Sequence, residues 1–514
     1  MSPTLLFSFV LGYFVLLLIV AYFTSRNSNN DSFFIGNRSS NWMLVAFGMI
    51  GTSLSGVTFV SVPGTVGISG FSYFQVVIGY FIGYFVVAFV LLPVYYKTQL
   101  TSIYNYLLQR FNFTSYKTGA LFFIISRTLG ATARLYLVIN VLQLFILDRM
   151  GVPFTVTTIV ILVMILLYTF EGGVKTIVFT DMLQTSFMLI GLMVCVVYII
   201  SQLDYSVGEA WQAMAARDYT NVFNTDFNSA GYFLKSILGG AFITIAMTGL
   251  DQEMMQKNIS VRTLKDSQKN MITLSFLQLI VVFIFLALGG LLYLYALSLG
   301  GSYEQVLVNG KEQLHFILDG QNIIGDTIFP QIAFNYLPPM IGVIFIIALI
   351  SALFPSADGA LTALTSSFCI DILGIKRNET LDEKKRKTIR LTVHFTFAVV
   401  FLICVMVFKW LDNKSIIDII LKLAGYTYGP LLGLFSFGIL TKRKVPEGWL
   451  VPAICLLAPA LCYFINEQSA GWLGGYKIGV ELLILNGLLT FTGLWLISSK
   501  STGNMEVKPV QEFK

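Results

Sequence analysis

The chain has 514 residues, of which 56% are hydrophobic and only 12% are charged. This composition excludes a soluble globular enzyme and predicts an all-α polytopic protein that lies in a lipid bilayer. The formal net charge of +6 does not indicate a nucleic-acid partner, because the basic residues collect in loops on one side of the predicted membrane.

Thirteen apolar segments are long enough to cross a bilayer. The first, at 5–23, has no positively charged leader and no A-x-A cleavage site, so we interpret it as a retained helix and not as a signal peptide. The chain 1–514 is then a single transmembrane domain. The segments lie at 5–23, 43–69, 73–96, 119–147, 152–170, 174–200, 233–251, 271–298, 339–372, 391–411, 415–440, 448–465 and 478–498.

The basic loops predict the orientation, because Lys and Arg are enriched in cytoplasmic loops. With the N-terminus outside and the C-terminus inside, every large basic cluster faces the cytoplasm of a plasma (inner) membrane. The predicted outer loops, 202–232 and 299–338, hold few basic residues. The cytoplasmic clusters are Arg26 and Arg38; Lys97, Arg110 and Lys117; Lys257, Arg262, Lys265 and Lys269; and the runs 376–387 and 442–444.

The second span reads GMIGTSLSGVTFVSVPGTVGISG from Gly48. Its many glycines and Pro63 make a poor continuous helix. A broken helix survives in lipid only where its backbone is buried in protein or lines a cavity. We therefore predict a break near residues 51–56; a face of small residues that only packs against a neighbour is the alternative.

The ninth span, 339–372, carries polar residues at helical spacing. Asp358, Thr362 and Thr365 share one face, and Pro355 and Ser356 lie on another. A carboxylate in such a helix is costly unless it faces a partner or a water-filled cavity. Carboxylates, hydroxyls and freed carbonyls are oxygen ligands for a hard cation. We predict an ion site here; the alternative is that the hydroxyls only join helices.

Three further charges lie inside predicted spans. Arg127 and Arg134 are seven residues apart on one face of the fourth span. Asp181 lies on the order of 10 Å inside the sixth span, at ~1.5 Å of rise per residue. This depth of Asp181 is compatible with a cation shared by Asp181 and Asp358. An Arg134–Asp181 salt bridge is the competing interpretation.

The chain shows none of the chemistry of an enzyme. It has two histidines and five cysteines, without metal-ligand spacing or a disulfide pattern. It also has no Walker-type glycine loop, so direct coupling to ATP hydrolysis is not expected.

Four local sequence patterns stand out along the chain: GGVKTIVFTDMLQ (172–184), GLDQEMMQKNISVRTLKDSQK (249–269), PSADGALTALTSSFCIDI (355–372) and GYTYGPLLGLF (425–435). They resemble patterns of the sodium:solute symporter family, and the resemblance covers nearly the whole chain. The pattern at 355–372 corresponds to the family's sodium-site helix. In the pattern at 249–269, Lys257 stands where the family usually has arginine.

The resemblance implies a LeuT-type fold, in which two five-helix units of inverted topology enclose a site at the membrane midplane. The units correspond to about 43–200 and 233–440, with 5–23 before them and 448–498 after them. The resemblance also implies sodium as the coupling ion. The common sodium site falls on Gly51, Leu54, Ala352, Pro355 and Ser356, although Pro355 departs from the family pattern because it has no hydroxyl.

A second cation site, known in some members, falls on Asp181 with Asp358 and Gly359. The substrate pocket is expected between the broken span, the helix 75–84, the fourth span and the helix 425–435. If the solute is an anion, Arg134 is the residue expected to bind it, because a guanidinium binds a carboxylate through two hydrogen bonds. The candidate residues of the substrate pocket are Ser53, Ser55, Thr58, Phe59, Gln75, Arg134 and Tyr428.

The predicted function is secondary active transport, in which the sodium gradient drives import of a small polar or anionic solute by alternating access. A proton-coupled symporter using Asp181 or Asp358 and a channel-like permease remain as alternatives. The sequence does not indicate which solute is carried, how many sodium ions are coupled, or the oligomeric state.

Overall fold

A computed structural model describes residues 3–25, 33–34, 36–170, 173–308, 311–378, 380–411 and 416–500. Arg26, Gly172 of the first family pattern and the tail beyond residue 500 lie outside the described residues. The helices are α1 Pro3–Ser25, α2 Trp42–Ser69, α3 Tyr73–Val86, α4 Leu92–Lys97, α5 Asn105–Arg110, α6 Phe113–Leu142, α7 Phe154–Thr169, α8 Gly173–Gln202, α9 Val207–Ala215, α10 Phe233–Thr244, α11 Gln252–Ile259, α12 Leu264–Ser298, α13 Ile328–Asn335, α14 Pro339–Ser367, α15 Glu383–Leu411, α16 Ile416–Thr427, α17 Gly429–Leu440, α18 Leu450–Trp472 and α19 Leu482–Ile497.

Within the described residues, eight helices are long and apolar enough to cross a membrane, or ten if each of two bent pairs is one span. One of the eight runs for 56 residues from Trp42 to Lys97. At ~1.5 Å per residue it is more than twice the thickness of a bilayer core, and it contains two predicted spans that meet at Gly70. Two shorter apolar helices, α7 and α19, account for the remaining predicted segments.

The predicted break in the second span is present. The backbone of Ser55 in α2 has φ 23° and ψ 168°, far from helical values. Such a conformation is strained for a residue with a side chain, and it persists only where the surrounding structure holds it. Ser55 and its neighbours Leu54 and Gly56 are all buried, so the break lies inside the protein.

The span predicted at 233–251 is longer than expected and bent. A π-helical turn, Ile245–Gly249, follows α10, and α11 continues after a bend of 64°. Every residue of α11 is buried, so Lys257 does not lie in a cytoplasmic loop and that part of the prediction is wrong. The polar residues of α11 remain inside because they pair with charges on neighbouring helices, as described below.

Helix α14 lies in the middle of the bundle and packs against α2, α6 and α8. Nearly all of its residues from Ile341 onward are buried. Small residues allow this close packing: a Cβ built on Gly191 of α8 would lie 2.3 Å from the Cβ of Ala348 in α14. The helix with the predicted ion ligands is therefore screened from lipid.

The two loops predicted to be outside contain structure of their own. The first holds α9, which begins with a capping box between Ser206 and Glu209. Hydrogen bonds from the hydroxyl and backbone of Ser206 lower the pKa of Glu209. The second holds an antiparallel sheet of β1 Ser302–Val308, β2 Lys311–Leu318 and β3 Gln321–Asn322, in which Ser302 pairs with Ile317.

Candidate functional site

The broken part of α2 forms one wall of a cavity of about 100 Å³. The other walls come from α3, α6, α10 with its π-helical turn, α11, α12 and α16. The cavity thus lies among the helices that the sequence analysis associated with the solute, except that α16 contributes residues 420–421 and not the predicted 425–435.

Four of the seven predicted substrate residues line this cavity, namely Ser53, Ser55, Thr58 and Arg134. The first three belong to the break in α2, where the irregular backbone turns successive side chains toward the same space. Arg134 reaches the cavity from α6 together with Arg127.

The other three predicted residues, Phe59, Gln75 and Tyr428, lie outside the cavity lining. Phe59 is fully buried and stacks on Phe329, with 5.3 Å between ring centroids. Gln75 donates a hydrogen bond of 2.8 Å to the carbonyl of Ser72. Sequence spacing places a residue on a helix, but packing against neighbouring helices decides which way each of these faces.

Tyr428 is the third predicted residue that does not line the cavity. Its hydroxyl donates a hydrogen bond of 2.7 Å to Oδ2 of Asp251, and its side chain is buried. Tyr428 therefore fixes the residue that caps the N-terminus of α11, where Asp251 accepts from the backbone of Glu253 and Met254.

The sequence analysis missed three tyrosines that line the cavity, Tyr73, Tyr80 and Tyr84. They are seven and four residues apart in and around α3, a spacing that places them on one helix face and could have indicated their shared direction. The hydroxyl of Tyr84 donates a hydrogen bond to Gln278 of α12. These phenols are the hydrogen-bonding groups that α3 contributes to the cavity.

Arg134 has no partner in the part of the chain that the structure describes. No carboxylate there lies within salt-bridge distance of its guanidinium, and no hydrogen bond from it is found. The competing Arg134–Asp181 salt bridge does not form, since Asp181 binds a different cation. An unpaired cation at a cavity inside a membrane bundle is costly, and an anionic ligand would relieve that cost.

Arg127, seven residues before Arg134 on the same helix face, is in contrast paired with carboxylates through both Nη atoms. Its guanidinium binds Glu253 of α11, and Nη1 lies 3.8 Å from Oδ2 of Asp251. Both carboxylates are buried. The two arginines of α6 therefore differ in role: one holds the half-helix α11, and the other is free to bind a ligand.

Lys257 is the cation that binds Asp181. Its Nζ lies 2.7 Å from Oδ2 of Asp181 and 2.7 Å from the hydroxyl of Thr52, with Oε1 of Glu253 at 3.7 Å. The predicted cation between Asp181 and Asp358 must therefore be corrected in one respect. The positive charge beside Asp181 is an ammonium group of the chain itself.

Asp358 is buried in α14 and accepts a hydrogen bond of 2.6 Å from the hydroxyl of Tyr168 in α7. Gly359 follows it and faces α11: a Cβ built on Gly359 would lie 2.3 Å from Oε1 of Glu253. Any larger residue at 359 would push against this carboxylate, so the glycine allows α11 and α14 to approach.

Two predicted residues of the common sodium site, Gly51 and Pro355, lie close together where α2 meets α14. A Cβ built on Gly51 would lie 3.4 Å from Cγ of Pro355, and one built on Gly56 would lie 3.7 Å from the backbone nitrogen of Leu353. Leu54 directly precedes the break in α2. Ala352 and Ser356 are buried on α14, and the hydroxyl of Ser356 donates 2.8 Å to the carbonyl of Leu353.

The sequence analysis also missed a hydroxyl at this contact. Thr185 of α8 is fully buried, and its Oγ1 accepts a hydrogen bond of 3.2 Å from the backbone nitrogen of Gly51. Its Oγ1 would lie 2.5 Å from a Cβ on Gly51. Thr185 is four residues from Asp181 on the same helix, the spacing of one helix face.

Comparison with known proteins gives a consistent picture. A family model described as "Sodium:solute symporter family" matches residues 33–455. The sodium/sialic acid symporter SiaT of Proteus mirabilis is 25% identical over 487 residues, which cover 92% of each chain. The sodium/sialic acid symporter NanT of Aliivibrio fischeri is 24% identical over 485 residues, covering 92% of this chain and 90% of that one.

A more distant relative is the sodium-dependent multivitamin transporter of Oryctolagus cuniculus, 23% identical over 81% of this chain and 63% of that one. Among solved structures, a substrate-bound, outward-open Na⁺-coupled sialic acid symporter matches with a TM-score of 0.79 and 19% identity, covering 96% of this chain and 99% of that chain. The nucleobase-cation-symport transporter Mhp1 matches with a TM-score of 0.55 and 13% identity, covering 92% and 95%. These likenesses show a LeuT-type fold.

Proposed function

Because the chain belongs to the sodium:solute symporter family, and is therefore a sodium-coupled transporter, we propose that it imports a small anionic solute whose carboxylate binds Arg134. The single observation that carries this proposal is the guanidinium of Arg134, which lines the cavity without a carboxylate partner in the described residues. The two bacterial relatives point the same way, since both are sodium/sialic acid symporters and sialic acid carries a carboxylate.

The polar wall of the cavity suits the rest of such a solute. Ser53, Ser55 and Thr58 supply hydroxyls beside the break in α2, and the phenols of Tyr73 and Tyr80 face them. Hydroxyls donate and accept hydrogen bonds equally well. A carboxylated polyol or sugar would therefore find partners along the cavity once Arg134 holds its charged end.

The sodium ion that drives uptake binds, in this proposal, where α2 meets α14. The break after Leu54 frees backbone carbonyls near Gly51 and Leu54, and Pro355 frees another because it lacks an N–H. Ala352 and Ser356 contribute from α14. The hydroxyl of Thr185 takes the place of the one that Pro355 lacks, since it lies at the same contact.

Coupling follows from the shared use of the broken helix. The sodium ligands and the cavity hydroxyls lie on the same few residues of α2, so an ion that fixes the break also fixes Ser53 and Ser55. Binding of sodium then strengthens binding of the solute, and by thermodynamic linkage the solute strengthens binding of sodium to the same degree. Alternating access moves the two repeats, 43–200 and 233–440, around this site.

The orientation belongs to the same proposal. We place the N-terminus outside and the C-terminus in the cytoplasm of the plasma membrane. Removal of Lys257 from the cytoplasmic count leaves Arg262, Lys265 and Lys269 after α11, and their side chains are exposed. This arrangement is tested with a Lys265→Cys variant, whose thiol is probed with membrane-impermeant reagents added to intact cells and to inverted vesicles.

The test of the solute class is uptake into proteoliposomes under an inward sodium gradient. A panel of labelled carboxylates, including sialic acid, is compared with matched neutral sugars and inositol. Arg134→Lys is expected to raise KM for the transported anion about tenfold or more, because an ammonium cannot form two parallel hydrogen bonds with a carboxylate. Arg149→Lys, on an exposed arginine, is the control and should leave KM unchanged.

The outcome that contradicts this assignment is equally clear. If neutral solutes are taken up as well as carboxylates, and Arg134→Gln does not alter their KM, then Arg134 does not bind a solute carboxylate.

A further inference from the structure

A buried ammonium occupies the position at which a second sodium ion would bind. Lys257 is only 3% exposed, and its Nζ contacts Asp181 of α8 and Thr52 of α2, each at 2.7 Å. It comes from α11, and it thereby joins three helices at a single point. Its partner Oδ2 of Asp181 is the oxygen that also accepts from Thr52, at 3.2 Å.

The same ammonium also faces the third helix of the predicted second site. A Cβ built on Gly359 would lie 3.2 Å from Nζ of Lys257. Asp358, the residue before it, accepts a hydrogen bond of 2.6 Å from the hydroxyl of Tyr168. Two of the three predicted ligands of a second sodium, Asp181 and Gly359, thus already lie against a positive charge.

A sodium ion and an ammonium do not share this space easily. Two positive charges in contact repel strongly inside a protein, because the surroundings screen them far less than water does. An ammonium that is paired with a buried carboxylate is also costly to remove, because the carboxylate is then left unpaired inside the bundle. A second carboxylate oxygen, Oε1 of Glu253, lies 3.7 Å from Nζ of Lys257 and stabilises the ammonium further.

We propose that Lys257 is a built-in replacement for a second sodium ion, so that the transporter binds one sodium ion per chain, at the common site. This inference rests on the sodium coupling proposed above, and it specifies the number of ions. It also gives Lys257 a positioning role, because the ammonium fixes α11 against α2 and α8 without being released in the transport cycle.

The decisive measurement is equilibrium binding of ²²Na⁺ alone to the purified full-length protein, which needs no knowledge of the solute. Wild type is expected to bind one ion per chain with a hyperbolic isotherm. Two ions per chain would overturn the proposal and leave the sodium-coupled function intact. No bound sodium would instead overturn the proposed sodium coupling, so the two failures are distinguishable.

Variants at 257 sharpen the test. In Lys257→Ala the carboxylate of Asp181 loses its cation. The number of sodium ions bound per chain is expected to rise to two, and binding should depend sigmoidally on sodium concentration. Lys257→Arg keeps the charge and should bind one ion. A folded Lys257→Ala protein that still binds one ion would contradict the proposal. If Lys257→Ala does not fold, as judged by size-exclusion chromatography, the wild-type count decides.

The double variant Lys257→Ala with Asp181→Asn is the matched control. It removes both charges of the ion pair, so neither an unpaired carboxylate nor an ammonium remains at this position. It is expected to bind one ion, as the wild type does. A count of two for the double variant would show that the second ion is not bound by Asp181, and would overturn the proposal.

Discussion

Thr185→Val is the substitution that tests the sodium site most closely. Valine has nearly the same shape as threonine but no hydroxyl, so it removes one oxygen from the contact of Gly51 and Pro355 without leaving a cavity. Thr185 is fully buried and its Oγ1 lies 3.2 Å from the backbone nitrogen of Gly51. The effect on sodium binding should therefore exceed the effect on folding.

The size of the effect follows from the loss of one polar contact to a charged group. Such contacts contribute about 1.5–3 kcal/mol in proteins, and each 1.4 kcal/mol is a factor of ten in affinity. We expect the sodium concentration for half-maximal uptake to rise about tenfold to a hundredfold. The assay is initial-rate uptake into proteoliposomes over a range of external sodium, at saturating solute.

Thr180→Val is the matched control on the same helix. Thr180 is equally buried, but its hydroxyl donates only to carbonyls of its own helix, with the nearer, Ile177, at 3.1 Å. The control should leave the sodium dependence unchanged. If both variants shift it equally, or if neither does, Thr185 does not coordinate sodium and the reasoning from the Gly51–Pro355 contact is refuted.

Two further predictions concern α11. Gly359→Ala places a methyl group 2.3 Å from Oε1 of Glu253 and should lower the melting temperature of the protein in detergent. Gly130→Ala, where a Cβ would meet no atom within 4 Å, is the control and should not lower it. Equal melting temperatures of the two variants would contradict this account of residue 359. Tyr428→Phe removes a hydrogen bond of 2.7 Å to Asp251 and should destabilise the fold by about 1.5–3 kcal/mol, as measured by urea unfolding in detergent. The KM for the solute should not change. A raised KM at normal stability would instead place Tyr428 in the substrate pocket.

The ion pairs link the solute cavity to the second-site position. Arg127 and Thr52 both line the cavity. Arg127 binds Glu253, and Thr52 binds Lys257. Arg127 and Lys257 would therefore both have to change partners if α11 moved during a transport cycle.

Much of the fold could be predicted from the sequence, because the bilayer limits the choice to helices of a given length and because glycine and proline mark the break at Ser55. Family patterns added a predicted location for the sodium site, and the structure brings Gly51 and Pro355, two of its predicted residues, close together. Arg134 could be identified because an arginine inside an apolar span needs an anionic partner.

The position of Lys257 could not be predicted, because it lies in a polar stretch that reads as a cytoplasmic loop. Its burial depends on partners that are far away in the chain, Thr52 and Asp181. Phe59 and Gln75 do not line the cavity, and this could not be predicted for a related reason: helical spacing gives a face, but only the neighbouring helices determine whether that face meets a cavity, another side chain or a backbone carbonyl.

In the proposed mechanism, a sodium gradient drives uptake of an anion through the cavity at Arg134. The most direct measurement is accumulation of a labelled carboxylate, selected from the panel, in proteoliposomes with sodium outside and a large organic cation inside. The account predicts a transient internal concentration well above the external one, which collapses when the sodium gradient is dissipated or when Arg134 is replaced by glutamine. Uptake that only equilibrates, or that follows a proton gradient in the absence of sodium, would contradict it.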